Sequence, residues 1–291
     1  MRNPKVSVVL PTYNRAAYLD RAIRSVLNQS YSDFELIVVD DASKDNTEEV
    51  VKSFKDDRIV YIRNPKNLGG AGARNVGIKR AKGEFIAFQD SDDEWLPEKL
   101  KIQMDVFEKA EPDVAVVYTA FIRKYGDREV LIPSPNIKKT EGNIYKELLY
   151  HVNFVNTPTA VVRKKAIEDV GYFDERFPRL QDWDLFLRLA KKYKFKFIKK
   201  PLMISYDTPG NISSDIYALI KALRLLVGKH YDEIRKDKKI MSRFYQRIGE
   251  ALFASGQQKE AKKFLLKALI AYPLNPKLMV KTTAALLGKK I

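Results

Sequence analysis

Short apolar runs alternate with amphipathic ones through the first third of the chain. Residues 6–10, 34–39, 59–62 and 85–88 are β-branched or aromatic stretches of strand length. Between them, Leu19, Ile23, Val26 and Leu27 recur at helical spacing, and residues 47–54 form a second helical stretch. A glycine-rich turn, Leu68-Gly69-Gly70-Ala71-Gly72, opens a third helix that runs to about Ala81. Strands alternating with helices predict βαβ crossovers and a mainly parallel, Rossmann-like sheet flanked by helices, an α/β fold. The second half is less regular. Residues 97–109 read as helix, 114–121 as strand, 124–140 as a turn-rich excursion, 159–163 as strand, 182–192 as helix and 195–205 as a last extended segment. Asp207-Thr208-Pro209-Gly210-Asn211 breaks the pattern. Helical periodicity holds from there on, so a boundary is expected near 207–216, with an all-helical appendage over 211–291.

Within the appendage, Tyr245, Ile248, Gly249, Leu252, Ala261, Leu265, Ala268 and Pro273 fall at the spacings of one tetratricopeptide-like hairpin, about 242–275. Gly249 and Ala261 would let two antiparallel helices approach, with Gly256 in the turn. A single repeat cannot bury its own face. It is expected to pack on the preceding α/β body, on a second copy as a homo-oligomer, or on both; an ordinary helical hairpin is the simpler alternative.

Composition narrows the chemistry. The chain has no Cys and two His, His151 and His230, which excludes disulfides, thiolate metal sites, Cys nucleophiles and multi-histidine zinc. Any metal must be hard and held by carboxylates, so Mn2+ or Mg2+ is expected. No apolar run spans a bilayer, and the N-terminus runs straight into a strand with no signal peptide. A cytoplasmic chain, soluble or peripheral at the inner face of a membrane, is the expectation. Charge is uneven: residues 216–291 hold 17 Lys and Arg against 5 Asp and Glu, a net +12 of the chain's +16. Such a tail suits an anionic membrane surface or another anionic partner, or is a solvated helical face.

In an open parallel sheet ligands gather beyond the carboxyl ends of the strands. Four polar elements fall at such ends: Pro11-Thr12-Tyr13-Asn14-Arg15, Asp40-Asp41-Ala42-Ser43, the glycine turn, and Asp90-Ser91-Asp92-Asp93. The last concentrates negative charge, which a divalent ion bridging Asp90 or Asp92 to a diphosphate would offset. Capping of the helix near Pro97 by Asp92 or Asp93 accounts for one of the three carboxylates. Asp40 and Asp41 suit hydrogen bonds from a base or ribose, or form the acidic start of the next helix. Tyr13 offers a face for base stacking, and the helix after Gly70 can point its N-terminus at phosphate. The glycine turn does not fit the dinucleotide fingerprint. Far along the chain, Gln181-Asp182-Trp183-Asp184 starts a helix. Asp182 there can act as a general base or simply cap the helix.

Together, Val6-Ser7-Val8-Val9-Leu10-Pro11-Thr12-Tyr13-Asn14, Val38-Val39-Asp40-Asp41-Ala42-Ser43, Gly72-Ala73-Arg74-Asn75, Asp90-Ser91-Asp92-Asp93 and Gln181-Asp182-Trp183-Asp184 resemble the family-2 glycosyltransferases over about residues 5–206. The resemblance implies a GT-A catalytic domain over 1–210, with a nucleotide-binding half to about 95 and an acceptor half from about 96. It implies that Pro11, Thr12, Tyr13, Arg15, Asp40, Asp41, Gly70, Arg74, Asp90 and Ser91 hold a nucleotide sugar. Asp90 and Asp92 form the D-x-D metal element, with Asp92 the principal ligand, and Asp182 occupies the inverting base position. The family usually has Glu where Gln181 stands, and often a late-loop His where this chain has Thr208 and Pro209. Without a Q-x-x-R-W motif or membrane helices, a single non-processive transfer is implied. The donor is a nucleotide-diphosphate sugar, UDP-linked by family habit. The acceptor is a carbohydrate or lipid-linked hydroxyl in polysaccharide, glycolipid or glycoprotein glycan assembly, and no nucleic acid is expected. Two alternatives stand beside this reading. A sugar-1-phosphate nucleotidyltransferase would need a G-x-G-T-R-type loop after the first strand. A non-catalytic scaffold would act through the basic tail at a membrane surface.

Overall fold

β-Branched and aromatic side chains lose rotamer freedom in a helix and fit a pleated, buried surface. The four early runs accordingly become strands in the computed structural model, which describes residues 3–134, 136–151, 154–208 and 214–288. β1 (Val6–Thr12), α1 (Ala16–Leu27), β2 (Phe34–Asp40), α2 (Thr47–Ser53), β3 (Ile59–Arg63), α3 (Gly69–Arg80) and β4 (Phe85–Phe88) follow one another. β5 (Glu94–Trp95), α4 (Lys99–Glu108), β6 (Val114–Tyr125), β7 (Arg128–Ile132), α5 (Tyr145–Tyr150), β8 (Ala160–Arg163), α6 (Lys164–Val170), α7 (Gln181–Lys192) and β9 (Lys194–Tyr206) come next. The last five elements are helices: α8 (Ile216–Lys229), α9 (Tyr231–Ile234), α10 (Lys238–Ala254), α11 (Gln258–Ala271) and α12 (Pro276–Leu286).

The strands form one nine-stranded sheet in the order β3-β2-β1-β4-β8-β6-β9-β5, with β7 on the side of β6. β3, β2, β1 and β4 are parallel neighbours, with Val6 opposite both Phe34 and Phe85. β8 then enters antiparallel to β4 and β6, while β6 and β9 run parallel. The fold is thus a mixed sheet flanked by helices, with its wholly parallel part in the first ninety residues. Buried residues of β1, β2, α1 and α4 form one core with Trp95 and Phe121.

Two expectations need revision. The glycines at 69–72 are not a turn before α3 but its first turn, for the helix starts on Gly69 and runs on through Gly72. Residues 124–140 are not wholly irregular: β6 continues to Tyr125 and pairs antiparallel with β7, Phe121 opposite Ile132.

The chain divides into two compact units. One comprises Met1–Leu148, Asn153–Glu175 and Asp182–Pro209; the other comprises Leu149–Val152, Arg176–Gln181 and Gly210–Ile291. In the second, α10 and α11 form an antiparallel hairpin. Ser242 Oγ donates to the Ala268 carbonyl, and Gly256 (φ +81°) makes the turn. A Cβ on Gly249 would lie 2.8 Å from Leu265 Cγ, so glycine is what lets the two helices meet. Leu265 and Ala268 then pack with Leu278 and Ala285 of α12. Among the described residues no helix is long and apolar enough to cross a membrane.

α3 lies close on the sheet because Gly77 has no side chain. A Cβ there would overlap Val9 Cγ1 and come within 3.3 Å of Val39 Cγ2. Gly77→Ala should lower stability by about 1–3 kcal/mol, the cost of overpacking a close-packed core. A lower urea midpoint at unchanged m-value would register it.

Candidate active site

Because β1 to β4 are parallel, their carboxyl ends share one edge, and carboxylates crowd it. β2 ends on Asp40, which is fully buried. Its Oδ1 accepts from the Ser43 N–H at 2.8 Å, and its Oδ2 accepts from the Tyr61 hydroxyl at 2.7 Å and from Arg63 at 3.1 Å. Burial, reinforced by the bond to Asp40, pushes the Tyr61 phenol up to about 12. The next residue, Asp41, is also buried and reaches the other way. It accepts from the Asn64 amide at 2.8 Å and from the Leu68 and Gly69 N–H groups at 2.8–3.0 Å. Neither residue starts α2. Asp41 instead caps α3, taking N–H groups that a helix leaves unpaired.

Loops after β1 and β2 are laced together. Asn14 and Ala42 both take left-handed conformations, φ 51° and 65°. Asn tolerates this readily, whereas Ala does so at a cost of about 1–2 kcal/mol. The Asn14 N–H donates to Ser43 Oγ at 2.9 Å, and its Oδ1 accepts from the Lys44 N–H at 2.7 Å. Asp45 joins the starts of the two following helices, accepting from the Ala16 N–H and from Thr47. Within this frame Pro11 is half-buried, Thr12 is buried with no protein partner for its Oγ1, and Tyr13 is 42% exposed beside them.

The acidic run after β4 is held from three sides. Asp90 is ion-paired with Arg74 of α3, which also donates to the Gly70 carbonyl at 3.2 Å. Ser91 is buried. Asp92 accepts from Thr208 Oγ at 2.6 Å, and Arg15 donates to the same Thr208 at 3.3 Å. Arg21 donates to the Asp92 carbonyl and stacks 3.7 Å over the Tyr206 ring. Asp93 accepts from the Tyr206 N–H at 3.3 Å. Burial raises the Asp92 carboxyl, with the Thr208 bond opposing and the Asp90 charge adding to the rise. Asp93 is raised much further by burial and by the charges of Asp90 and Asp92. α4 starts after Glu98 with no side-chain cap, so neither Asp92 nor Asp93 caps that helix. Pro209 lies outside the described residues.

At the start of α7, burial pushes Asp182 up to about 6. The Trp183 N–H, which donates to it at 2.8 Å, and the Arg74 charge oppose the rise, and the Asp90 charge adds to it. Those two charges place Asp182 in electrostatic reach of the acidic run. Its neighbour Asp184 serves the scaffold instead. Buried, it pairs with Arg188 one turn on, which also holds the Val170 and Tyr172 carbonyls. All the residues expected from sequence therefore belong to the sheet-bearing unit. Asp40 and Asp41 spend their oxygens on the scaffold, whereas the buried Thr12 hydroxyl has no protein partner. Gly70 contributes a carbonyl to Arg74.

Sequence reasoning missed Asp45, Arg63, Asn64 and the bond from Thr208 to Asp92. Arg63 and Asn64 had a signal, for they directly follow the third apolar run, and strand ends were where polar residues counted. Thr208 had none. Among the described residues no group of three or more His, Asp or Glu side chains is placed to hold a metal ion.

The chain matches the model of glycosyl transferase family 2 over residues 7–171, and it belongs to that family. It is an enzyme of glycosyl transfer. An Escherichia coli relative, the UDP-Glc:alpha-D-GlcNAc-diphosphoundecaprenol beta-1,3-glucosyltransferase WfgD, is 30% identical over 80% of this chain and 98% of its own. Staphylococcus aureus TarS 1-349, solved with UDP-GlcNAc, superposes with a TM-score of 0.73 at 22% identity, over 97% of this chain and 87% of that one. The mannosyltransferase PcManGT from Pyrobaculum calidifontis, solved with GDP-Man and Mn2+, gives 0.61 at 20% identity, over 99% and 81%. At these identities the two structures speak for the GT-A-like fold.

Because Arg74 favours the ionised form of Asp182, its removal should raise that carboxyl further. In Arg74→Met, carboxyl-carbon NMR should show Asp182 titrating at a higher pH than in the native chain. An unchanged titration would disprove the coupling.

Proposed function

We propose that the protein is an inverting, non-processive glycosyltransferase. It moves one sugar from a nucleotide-diphosphate sugar, UDP-linked, to a hydroxyl of a carbohydrate or lipid-linked acceptor in cell-envelope glycan assembly. The observation carrying this is Asp182, a carboxyl lifted to about 6 beside Arg74 and Asp90. A base poised near neutral pH is what deprotonating an alcohol requires. Asp182 takes the acceptor's proton as its oxygen bonds the anomeric carbon. The bond from that carbon to the diphosphate breaks from the opposite face, and the electron pair leaves with the nucleoside diphosphate.

Thr12 and Tyr13 offer a buried hydroxyl and an exposed ring to the nucleoside, with Pro11, Arg15, Asp40 and Asp41 shaping that edge. Gly70, Arg74 and Ser91 border the diphosphate. The donor set fits a hard divalent ion. Asp90 and Asp92 are oxygen ligands, and Asp92 is raised partly by its neighbour's charge, a penalty that a cation would relieve. Mg2+ and Mn2+ bind through one or two carboxylates completed by substrate phosphates, so Asp90 and Asp92 with the donor would hold it. When bound, it supplies neutralisation of the departing diphosphate's charge. The names of relatives support the donor class: WfgD is a UDP-Glc enzyme, TarS was solved with UDP-GlcNAc, and PcManGT with GDP-Man and Mn2+.

The helical extension, about 211–291, fits a tetratricopeptide-like unit that covers its open face on an anionic membrane or on a second copy. In support, Ile270 is 80% exposed, and Leu274, Val280 and Leu287 are exposed too, within residues 216–291, whose net charge is +12. Sedimentation with anionic vesicles, weakened by salt, is the expected result. Binding only to neutral vesicles would argue against it.

Asp182→Asn should cut transfer by about 10²–10⁴-fold, the share of a general base. The same change should stabilise the fold at neutral pH by about 1–2 kcal/mol, because it removes a carboxylate that burial disfavours. With Asp182 required unprotonated, native activity should fall tenfold per pH unit below about 6. Asp92→Ala should abolish metal-dependent turnover. Full activity in both variants would refute the mechanism.

A further inference from the structure

α1 carries a polar stripe that leads to the acidic run. Arg21, Ser25 and, just past the end of the helix, Gln29 are spaced about one turn apart. Each of them holds the segment 89–100. Gln29 Nε2 donates to the Leu96 carbonyl at 2.8 Å, and its Oε1 accepts from the Leu100 N–H at 3.0 Å. Ser25 Oγ accepts from Gln89 Nε2 at 3.4 Å, and the same Nε2 donates to the Asp93 carbonyl at 2.9 Å. Arg21, at the N-terminal end of the stripe, donates to the carbonyl of Asp92 itself.

Arg21 differs from the other two in what else it touches. Its guanidinium lies 3.7 Å over the ring of Tyr206, and its Nε is buried with no protein partner. Tyr206 is the last residue of β9, opposite Lys124 of β6, and its N–H donates to Asp93 at 3.3 Å. Its hydroxyl donates to Glu94 at 2.7 Å. Two residues further on, Thr208 donates to the Asp92 carboxylate. One flat cation therefore joins the main chain of Asp92 to the strand end that delivers the partner of its side chain. Arginine suits this place because its edge donates in plane while its face lies on a ring, and an ammonium has no such face. Gripping the carbonyl and not the carboxylate, Arg21 fixes Asp92 without forming an ion pair with it.

We propose that Arg21 is a positioning residue of the donor site. Held between the Asp92 carbonyl and the Tyr206 ring, it sets the direction in which the Asp92 carboxylate meets a divalent cation. The proposal rests on the reading of Asp90 and Asp92 as metal ligands given above. Groups that orient a metal ligand from behind contribute about 10–100-fold to metal affinity, and Arg21 acts in this way through the backbone of the ligand.

The test measures Mn2+ binding to the full chain in the presence of UDP, read from the electron paramagnetic resonance signal of free Mn2+, with Mn2+ and UDP alone as the blank. Arg21→Met should raise the Mn2+ dissociation constant by at least about fivefold. Tyr206→Leu removes the ring and leaves the cation. It should weaken binding to the same extent, and it decides the matter if Arg21→Met does not fold. Tyr206→Phe keeps the ring and loses only the bond to Glu94, so its affinity should stay within about twofold of native. A residue that merely bolted α1 to the sheet would lower the melting temperature and leave Mn2+ affinity unchanged. A smaller loss than this in Arg21→Met or Tyr206→Leu, or an equal loss in Tyr206→Phe, overturns the proposal. A native chain that binds no Mn2+ under the same conditions would sink the metal reading instead, which keeps the two failures apart.

Discussion

The carboxylate of Asp41 is the point on which the site depends. It sits at the end of β2 and takes the first N–H groups of α3, a junction of two elements that are otherwise separated by β3. The helix N-terminus prefers negative charge, and burying that charge is tolerable only because three donors meet it. With its start fixed there and its middle pressed on Val9 and Val39 at Gly77, α3 has no freedom to slide. Arg74, one turn in, is thereby set against Asp90. Asn75, beside it, holds the Phe173 carbonyl and Glu175. One buried carboxylate thus determines where the cation of the site stands.

The acidic run shows a balance left incomplete by the protein's own groups. Arg74 answers Asp90 and Thr208 answers Asp92, yet Asp92 and Asp93 both remain raised, so the neighbouring cations and donors do not fully offset the burial and repulsion. A fold selected only for stability would replace such carboxylates, because buried charge that is poorly compensated is destabilising. Their presence near Asp182, raised to about 6, is the pattern of carboxyls set apart by their environments.

Most of the parallel half was legible in the sequence, since Val6 to Leu10 and Phe34 to Val39 can hardly be anything but buried strands, and strand ends direct attention to polar loops. What escaped notice has a physical reason. β7 begins Arg128-Glu129 and is largely exposed, so its apolar pattern is too weak to separate it from loop. Asp40 and Asp41 read as ligand contacts because their partners, Tyr61, Arg63 and Asn64, are brought to them only by the β2–β3 pairing. Gly69 to Gly72 read as a turn because the cap that turns them into helix comes from another strand. Asp182 stood out by its place at a helix start, but the burial that raises its carboxyl, and the opposing charges of Arg74 and Asp90 more than ninety residues earlier, are set only by the fold.

The bond from Thr208 to Asp92 spans 116 residues. A ribosome releases Asp90, Asp92 and Asp93 well before it delivers β9 and Thr208, so through much of its synthesis the nascent chain has Arg74 to answer Asp90 but no Thr208 to answer Asp92. The parallel strands can pair early from local contacts, whereas closing so long a loop is slow. The Thr208–Asp92 bond therefore cannot form until nearly all of the sheet-bearing unit has been made. A chain arrested before residue 194 would have its first four strands but not the strand that brings Thr208 to Asp92, and the finish of its acidic edge would wait on the final step of translation of that unit.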